Sequence, residues 1–213
     1  MRGLAHAGAR LTVRRVEERR RQADRSEATR AKLVSVAREL FAKRGYAAVG
    51  TEEIVRRAKV TRGALYHHFE DKRDLFRAVH EQVEHELAER IGASLDPERP
   101  PLELLTEGMR TFLDACEQDP TLRQIALLDA PAVLGWREWR EVDAKYSMGL
   151  VVFALRNAMD AGALERQPVE PLAHIMLGAL GEAALMIADS DDPAATRREV
   201  EGPLLGLLDG LRA

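Results

Sequence analysis

Large apolar residues are sparse at the start of the chain and then fall into helical spacing. Residues 1–25 offer only Leu4, Leu11, Val13 and Val16 beside eight arginines, too little to bury a face, and read as a flexible basic arm. From about Ser26 the pattern changes. Leu33, Val36, Ala37, Leu40 and Phe41 recur at helical intervals, and Gly45 after Lys43 and Arg44 supplies a stop. Thr51, ahead of Glu52 and Glu53, is expected to cap a short helix to about Ala58 that buries Ile54 and Val55. Only Lys59 and Val60 intervene before Thr61, which can cap a second short helix over 62–69, so the pair reads as a helix-turn-helix. Asp71, with Asp74 in capping-box position, opens a helix carried by Phe76, Val79, Val83 and Leu87 toward Gly92.

Pro97, Pro100 and Pro101 end that helix. Helical stretches then follow at about 102–118, 120–129, 136–161, 169–189 and 193–211, and no useful β-alternation appears. An all-α fold is expected. Composition agrees: 46% hydrophobic, 31% charged and only 5% aromatic residues describe a globular chain, not a disordered or fibrous one, and argue against a β-sandwich. The single cysteine, Cys116, rules out an intrachain disulfide and any CxxC motif, and fits a cytoplasmic location. The uncharged stretches 146–155 and 171–181 are too short for a membrane span, and the Arg-rich start lacks the apolar run of a secretory signal; no membrane partner is expected.

Charge divides the chain in two. Residues 1–80 carry 20 Lys and Arg against 10 Asp and Glu, whereas residues 81–213 carry 12 against 25, although the whole chain is only −3. A basic third joined to an acidic remainder suggests that the first part meets a polyanion and the second does something else.

Three segments then resemble the TetR family of transcriptional regulators: Ala37-Arg38-Glu39-Leu40-Phe41-Ala42-Lys43-Arg44-Gly45-Tyr46, Thr51-Glu52-Glu53-Ile54, and above all Gly63-Ala64-Leu65-Tyr66-His67-His68-Phe69-Glu70-Asp71-Lys72. The resemblance covers about residues 27–87. It implies a three-helix helix-turn-helix DNA-binding domain with its connector helix over 26–91. A helical bundle for effector binding and dimerisation would occupy 92–213. The implied function is a homodimeric, ligand-released repressor of a palindromic double-stranded operator. A constitutive or activating regulator without an effector, or a helical adaptor or enzyme, is the competing reading. The family's turn often carries glycine where this chain has Lys59, which puts a non-glycine residue in a left-handed conformation or alters the turn.

The residues have roles on physical grounds as well. Leu65 and Phe69, four apart, face the core. The opposite face carries Thr61, Arg62, Gly63, Ala64, Tyr66 and His67, and the start of such a helix enters the major groove. Arg62 can fork onto guanine O6 and N7, Gly63 allows close backbone approach, and Ala64 can touch a thymine methyl. Thr51 and Thr61 can offer hydroxyls to phosphates. Tyr66, His67 and Lys72 resemble the family's phosphate-contacting positions.

The acidic part has fewer signals. Trp136 and Trp139 either pack the core or line a ligand cavity with Leu113, Cys116, Leu127, Tyr146 and Phe153, where Arg140 or Asp143 orients a polar group of an unknown small-molecule effector. Val151, Val152, Leu155 and Met159, with Ile175, Met176, Ala179 and Ala183, are the candidate dimer contacts. His80, Glu81, Glu84 and His85 form i, i+4 pairs that read as a solvated helix face rather than a metal site, and His174 reads as a core or interface histidine. No catalytic motif, metal or cofactor is implied.

Overall fold

The structure, a computed structural model, describes the backbone of residues 3–213 and the side chains of residues 20–213. Helix α1 spans Gly3–Arg44, α2 Thr51–Ala58, α3 Arg62–His68 and α4 Lys72–Ser94. In the second part α5 spans Pro101–Gln118 and α6 Pro120–Leu122; a π-helical segment, Arg123–Asp129, leads into α7, Ala130–Leu134. Three long helices complete the chain: α8 Trp136–Asp160, α9 Val169–Ala188 and α10 Pro193–Asp209. The described residues contain no strand, only an isolated bridge between Leu164 and Arg212.

Helix α1 differs most from expectation. Its backbone is helical from Gly3, well before Ser26, because Ala, Arg, Glu and Gln there are strong helix formers and no proline interrupts them. The expected arm over 1–25 therefore lies partly in this helix and partly, at residues 1 and 2 and the side chains to 19, outside the described residues. Gly45 ends α1 with φ +73°, the left-handed stop expected. Leu33, Ala37, Leu40 and Phe41 pack with Ile54, Leu65, Phe69, Leu75 and Phe76 in one continuous core. Phe41, Tyr46 and Phe76 form an aromatic triangle with centroids 5.1–5.6 Å apart.

Helix α4 belongs to both halves: its start closes the helix-turn-helix, and further on it packs against α5 and α8. Helix α9 is, by length and composition alone, apolar enough to cross a membrane, contrary to the reading of its uncharged run, which Glu170 and Glu182 interrupt without spoiling. Its buried Leu172, Ala173, Met176, Leu177, Leu180, Ala183, Ala184 and Ile187 form much of the C-terminal core.

Candidate nucleic-acid interface

The helix-turn-helix is built by local chemistry. At the turn, Lys59 takes φ 52°, ψ 44°, and the N–H groups of Lys59 and Val60 donate back to Arg56 and Val55, closing α2. Thr61 is extended, and its Oγ1 accepts from the Ala64 N–H at 3.1 Å, so it caps α3 as expected and keeps its own O–H free to donate. Thr51 does not cap α2: Gly50 is the cap, without a side-chain bond, and Thr51 is the first helical residue, half-buried. Asp71 caps α4 by accepting from Asp74 N–H at 2.8 Å, and Asp74 reaches back to the Glu70 N–H at 3.0 Å.

Leu65 and Phe69 anchor α3 in the core, which turns Arg62, Gly63, Tyr66 and His67 outward, with Ala64 half-buried beside them. The Arg62 guanidinium lies 5.6 Å from the Tyr66 ring centroid and 3.7 Å from Glu52, leaving it solvated and free to turn. A Cβ on Gly63 would meet only Thr61 Oγ1 at 3.9 Å, so nothing inside the protein demands glycine there. His68 is half-buried, and desolvation by the fold lowers its pKa. Lys72 is placed otherwise than at an open phosphate position. Its Nζ sits 3.8 Å above the Tyr46 ring and donates to the Tyr46 carbonyl at 2.6 Å, and burial lowers its pKa.

This unit is tied to the rest of the molecule. Asp129, at the end of the π-helical segment, accepts from the Tyr46 N–H at 2.7 Å. Arg73 donates to the carbonyls of Val133 and Leu134 at 3.1 and 3.0 Å and pairs with Glu138 at 2.5 Å.

The expected effector residues separate. A cavity of about 120 Å³ lies among α4, α5, α8 and α9 and is lined by Asp143 and Tyr146. Cys116, Leu127, Trp139 and Arg140 surround a smaller space of about 30 Å³ that shares Glu84, Leu87, Phe112, Asp143 and Gly181 with it. Leu113 is plain core. Trp136 and Phe153 are 65% and 67% exposed and line neither space: Trp136 begins α8, and Phe153 faces away from the bundle. The Trp139 Nε1–H donates to the Ala126 carbonyl at 3.0 Å. Cys116 is buried, which pushes its thiol pKa up.

Helix α4 also corrects the reading of a solvated His–Glu face. His80 and Glu84 are buried, whereas His85 is exposed and pairs with Glu89 at 3.5 Å. Glu84 was missed as a cavity residue, together with Met109 and Phe112, yet its signal is in the sequence. It follows Val83 on the apolar stripe of Phe76, Val79 and Leu87, where a carboxylate needs a reason.

The dimer candidates are out of phase. Leu155, Met159, Met176 and Ala183 are buried in the chain's own core, Val151, Val152 and Ala179 are partly covered, and of the eight only Ile175 is exposed, at 69%. Two neighbouring residues on a helix differ by roughly 100° in direction, so a short shift of face exchanges core for surface. Exposed apolar residues on these helices include Leu150 and Phe153 on α8, Ile175 and Met186 on α9, and Leu207 on α10. His174 is exposed beside Ile175.

Two family models match the chain. "Bacterial regulatory proteins, tetR family" covers residues 33–79, and "Tetracyclin repressor-like, C-terminal domain" covers residues 102–211. The chain is similar to the Transposon Tn10 TetC protein of Escherichia coli, 27% identical over 76% of this chain and 82% of that protein. It is also similar to the HTH-type transcriptional regulator CymR of Pseudomonas putida, 31% identical over 50% of this chain and 60% of that one. The crystal structure of a TetR-family transcriptional regulator from Pectobacterium atrosepticum superimposes with a TM-score of 0.79 at 33% identity, covering 89% of this chain and 97% of that one.

Proposed function

The chain belongs to the TetR family of transcriptional regulators, and from that premise we propose a homodimeric repressor that holds a palindromic operator with two α3 helices and releases it when a small molecule enters the cavity beside α4. Family members are non-enzymatic DNA-binding proteins. The observation that carries the DNA-reading role is the outward face of α3. Leu65 fixes the helix while Arg62, Gly63, Tyr66 and His67, with no structural task of their own, project from its first turns. Arg62 reads a base, and Thr61 O–H, Tyr66 and His67 contact phosphates. Lys72 supports the turn at Tyr46 and adds positive charge beneath it.

The release step follows from the position of α4. Its first turn packs with the DNA-reading unit and its later turns line the cavity, so a molecule entering there displaces the same rigid element that positions α3. Differential affinity of about 1–3 kcal/mol between the two states changes operator occupancy substantially.

Selection of binding sites from random duplex DNA with the full chain tests the reading. The expected winner is a palindrome whose half-site centres lie roughly one helical turn, or a multiple of it, apart. Arg62→Ala should then relax preference at one base pair per half-site, costing roughly 1–3 kcal/mol there. Equal losses on selected and random DNA would remove Arg62 from base reading, and failure to enrich any site would remove the function.

A further inference from the structure

The proposed effector cavity is chemically lopsided. Most of its wall is aliphatic or aromatic, including Leu87, Met109, Phe112 and Leu177. Among the described residues that line it, the charged ones are Glu84 and Asp143, and neither a lysine nor an arginine is there. Asp143 is already balanced: Arg140 donates to it at 3.3 Å from the neighbouring space, and Ser147 Oγ lies 3.3 Å from its other oxygen. Glu84 has no such partner. It is 7% exposed, makes no hydrogen bond to a described residue, and its nearest candidate, His80 Nδ1, is 3.8 Å away, too far for a hydrogen bond.

We infer that the cavity takes a lipophilic cation, an amine with an aromatic or aliphatic tail, whose ammonium head sits against Glu84 and Asp143 while the tail fills the space between Met109, Phe112 and Leu177. This deepens the effector reading above and rests on it for its regulatory consequence only. A neutral ligand offers the Glu84 carboxyl at most a hydrogen bond and nothing to stabilise its ionised form, and an anion would meet the Asp143 carboxylate and keep Glu84 protonated. A cation stabilises the ionised Glu84 and lies near Asp143, and the rings of Phe112 and Tyr146 at the wall offer it a further attraction.

The groups around Glu84 agree. On its own helix His80 is fully buried with both ring nitrogens unpartnered, and desolvation holds its pKa at about 4, so it is neutral and supplies no charge. From α5 Cys116 approaches, its thiol protonated. From α8 come Asp143 and, behind it, Arg140; from α9 comes Gly181, without charge. Burial, with Asp143 nearby, pushes the Glu84 carboxyl up to about 8, so the empty site holds it protonated near neutral pH. When an ammonium docks, Glu84 ionises, its proton passes to the buffer, and an ion pair forms. Binding of a permanently charged head therefore tightens as pH rises toward 8.

The test uses the intact protein and three matched probes: 4-phenylbutylamine, 4-phenylbutan-1-ol and 4-phenylbutyrate, titrated by calorimetry at pH 6, 7 and 8 in two buffers of different ionisation heat. The amine should bind at least tenfold more tightly than the alcohol at pH 8, the butyrate more weakly still, and only the amine should release a proton. Glu84→Gln should erase most of the amine's advantage while leaving the alcohol's affinity within about twofold, a control for an intact cavity. Glu84→Asp should restore part of it. An alcohol or carboxylate that binds as well as the amine, an amine that does not bind at millimolar concentration, or an advantage that survives Glu84→Gln overturns the inference. Operator binding is followed separately. An amine that binds through Glu84 without loosening the operator leaves this inference standing and overturns the release step; release by the alcohol as readily as by the amine does the reverse.

Discussion

At the scale of single residues, two departures from the usual rules carry measurable costs. Lys59 holds a left-handed conformation that glycine adopts freely, and its ammonium projects from the turn that introduces α3. Lys59→Gly should raise the unfolding free energy by about 0.5–1 kcal/mol, since the steric cost removed outweighs the flexibility added. If the exposed Lys59 ammonium reaches a phosphate, the same change should weaken operator and random DNA alike and reduce the salt slope by about one; an unchanged slope removes that contact. A variant no more stable than the parent would mean the turn carries no strain. Glu84 gives the second case, with a sign that can be worked through. Its folded pKa of about 8 lies above the ordinary 4.5, so the unfolded chain loses this proton first and stability falls as pH rises between those values. Neutral burial of His80, with its pKa near 4, makes stability rise with pH up to about 6.5, which offsets the Glu84 effect over part of that range. Above pH 6.5 the Glu84 effect outweighs what is left of the His80 one, and unfolding in urea should show stability declining by roughly 1–1.5 kcal/mol between pH 6.5 and 8. Glu84→Gln should flatten that slope; an unchanged slope would assign it to another group.

At the scale of elements, most of what depended on caps and on apolar period was legible in the sequence, Thr51 being the exception, and whatever depended on which tertiary neighbour arrives was not. Thr61, Asp71 and Gly45 end or begin their helices as expected because capping is decided within four residues. The outward face of α3, with Arg62, Gly63, Tyr66 and His67 exposed, was legible from the apolar spacing of Leu65 and Phe69. The π-helical segment was not, since Ile125, Ala126 and Leu127 fit either helix period. Its origin becomes clear from the hydrogen bonds. Pro131 has no N–H to give, and the Ala130 N–H donates five residues back to Ile125 instead of four back to Ala126. The Ala126 carbonyl is thereby free, and the Trp139 indole N–H takes it at 3.0 Å. Trp139 thus closes the helix register from within beside the smaller space, while Trp136 at the start of α8 stays in solvent. Trp139→Phe leaves a buried carbonyl unpaired and should cost about 1–3 kcal/mol. The variant should also keep only the red-shifted emission of a solvated indole, and an unshifted spectrum with unchanged stability would show that Trp139 has no such role.

At the scale of the whole molecule, charge and exposed apolar surface point in different directions, and each constrains assembly. The basic first third is suited to a polyanion, and the acidic remainder would be repelled by one. One α3 reads only a few base pairs, so operator-level specificity needs two copies with α3 helices roughly 34–36 Å apart. The apolar residues left uncovered are suited to bring the copies together. Phe153 on α8 and Ile175 and Met186 on α9 are large and exposed, and a Cβ added to Gly149 or Gly178 would meet nothing within 4 Å, leaving room for a partner helix to approach closely. Ile175→Glu is the decisive change, because residue 175 is exposed in the single chain and a charge there leaves its own core untouched, whereas a charge at Met176 or Ala183 would disrupt that core. Light scattering at micromolar concentration should give the parent protein twice the chain mass of 23.7 kDa and the variant a single one. The variant's thermal midpoint then becomes independent of its concentration, as expected once unfolding is no longer linked to dissociation. Its operator affinity should fall toward that for random DNA, since two weak half-site contacts are no longer joined. A variant that remains dimeric would place the interface on another face, and a parent protein that is monomeric would remove the two-fold model altogether.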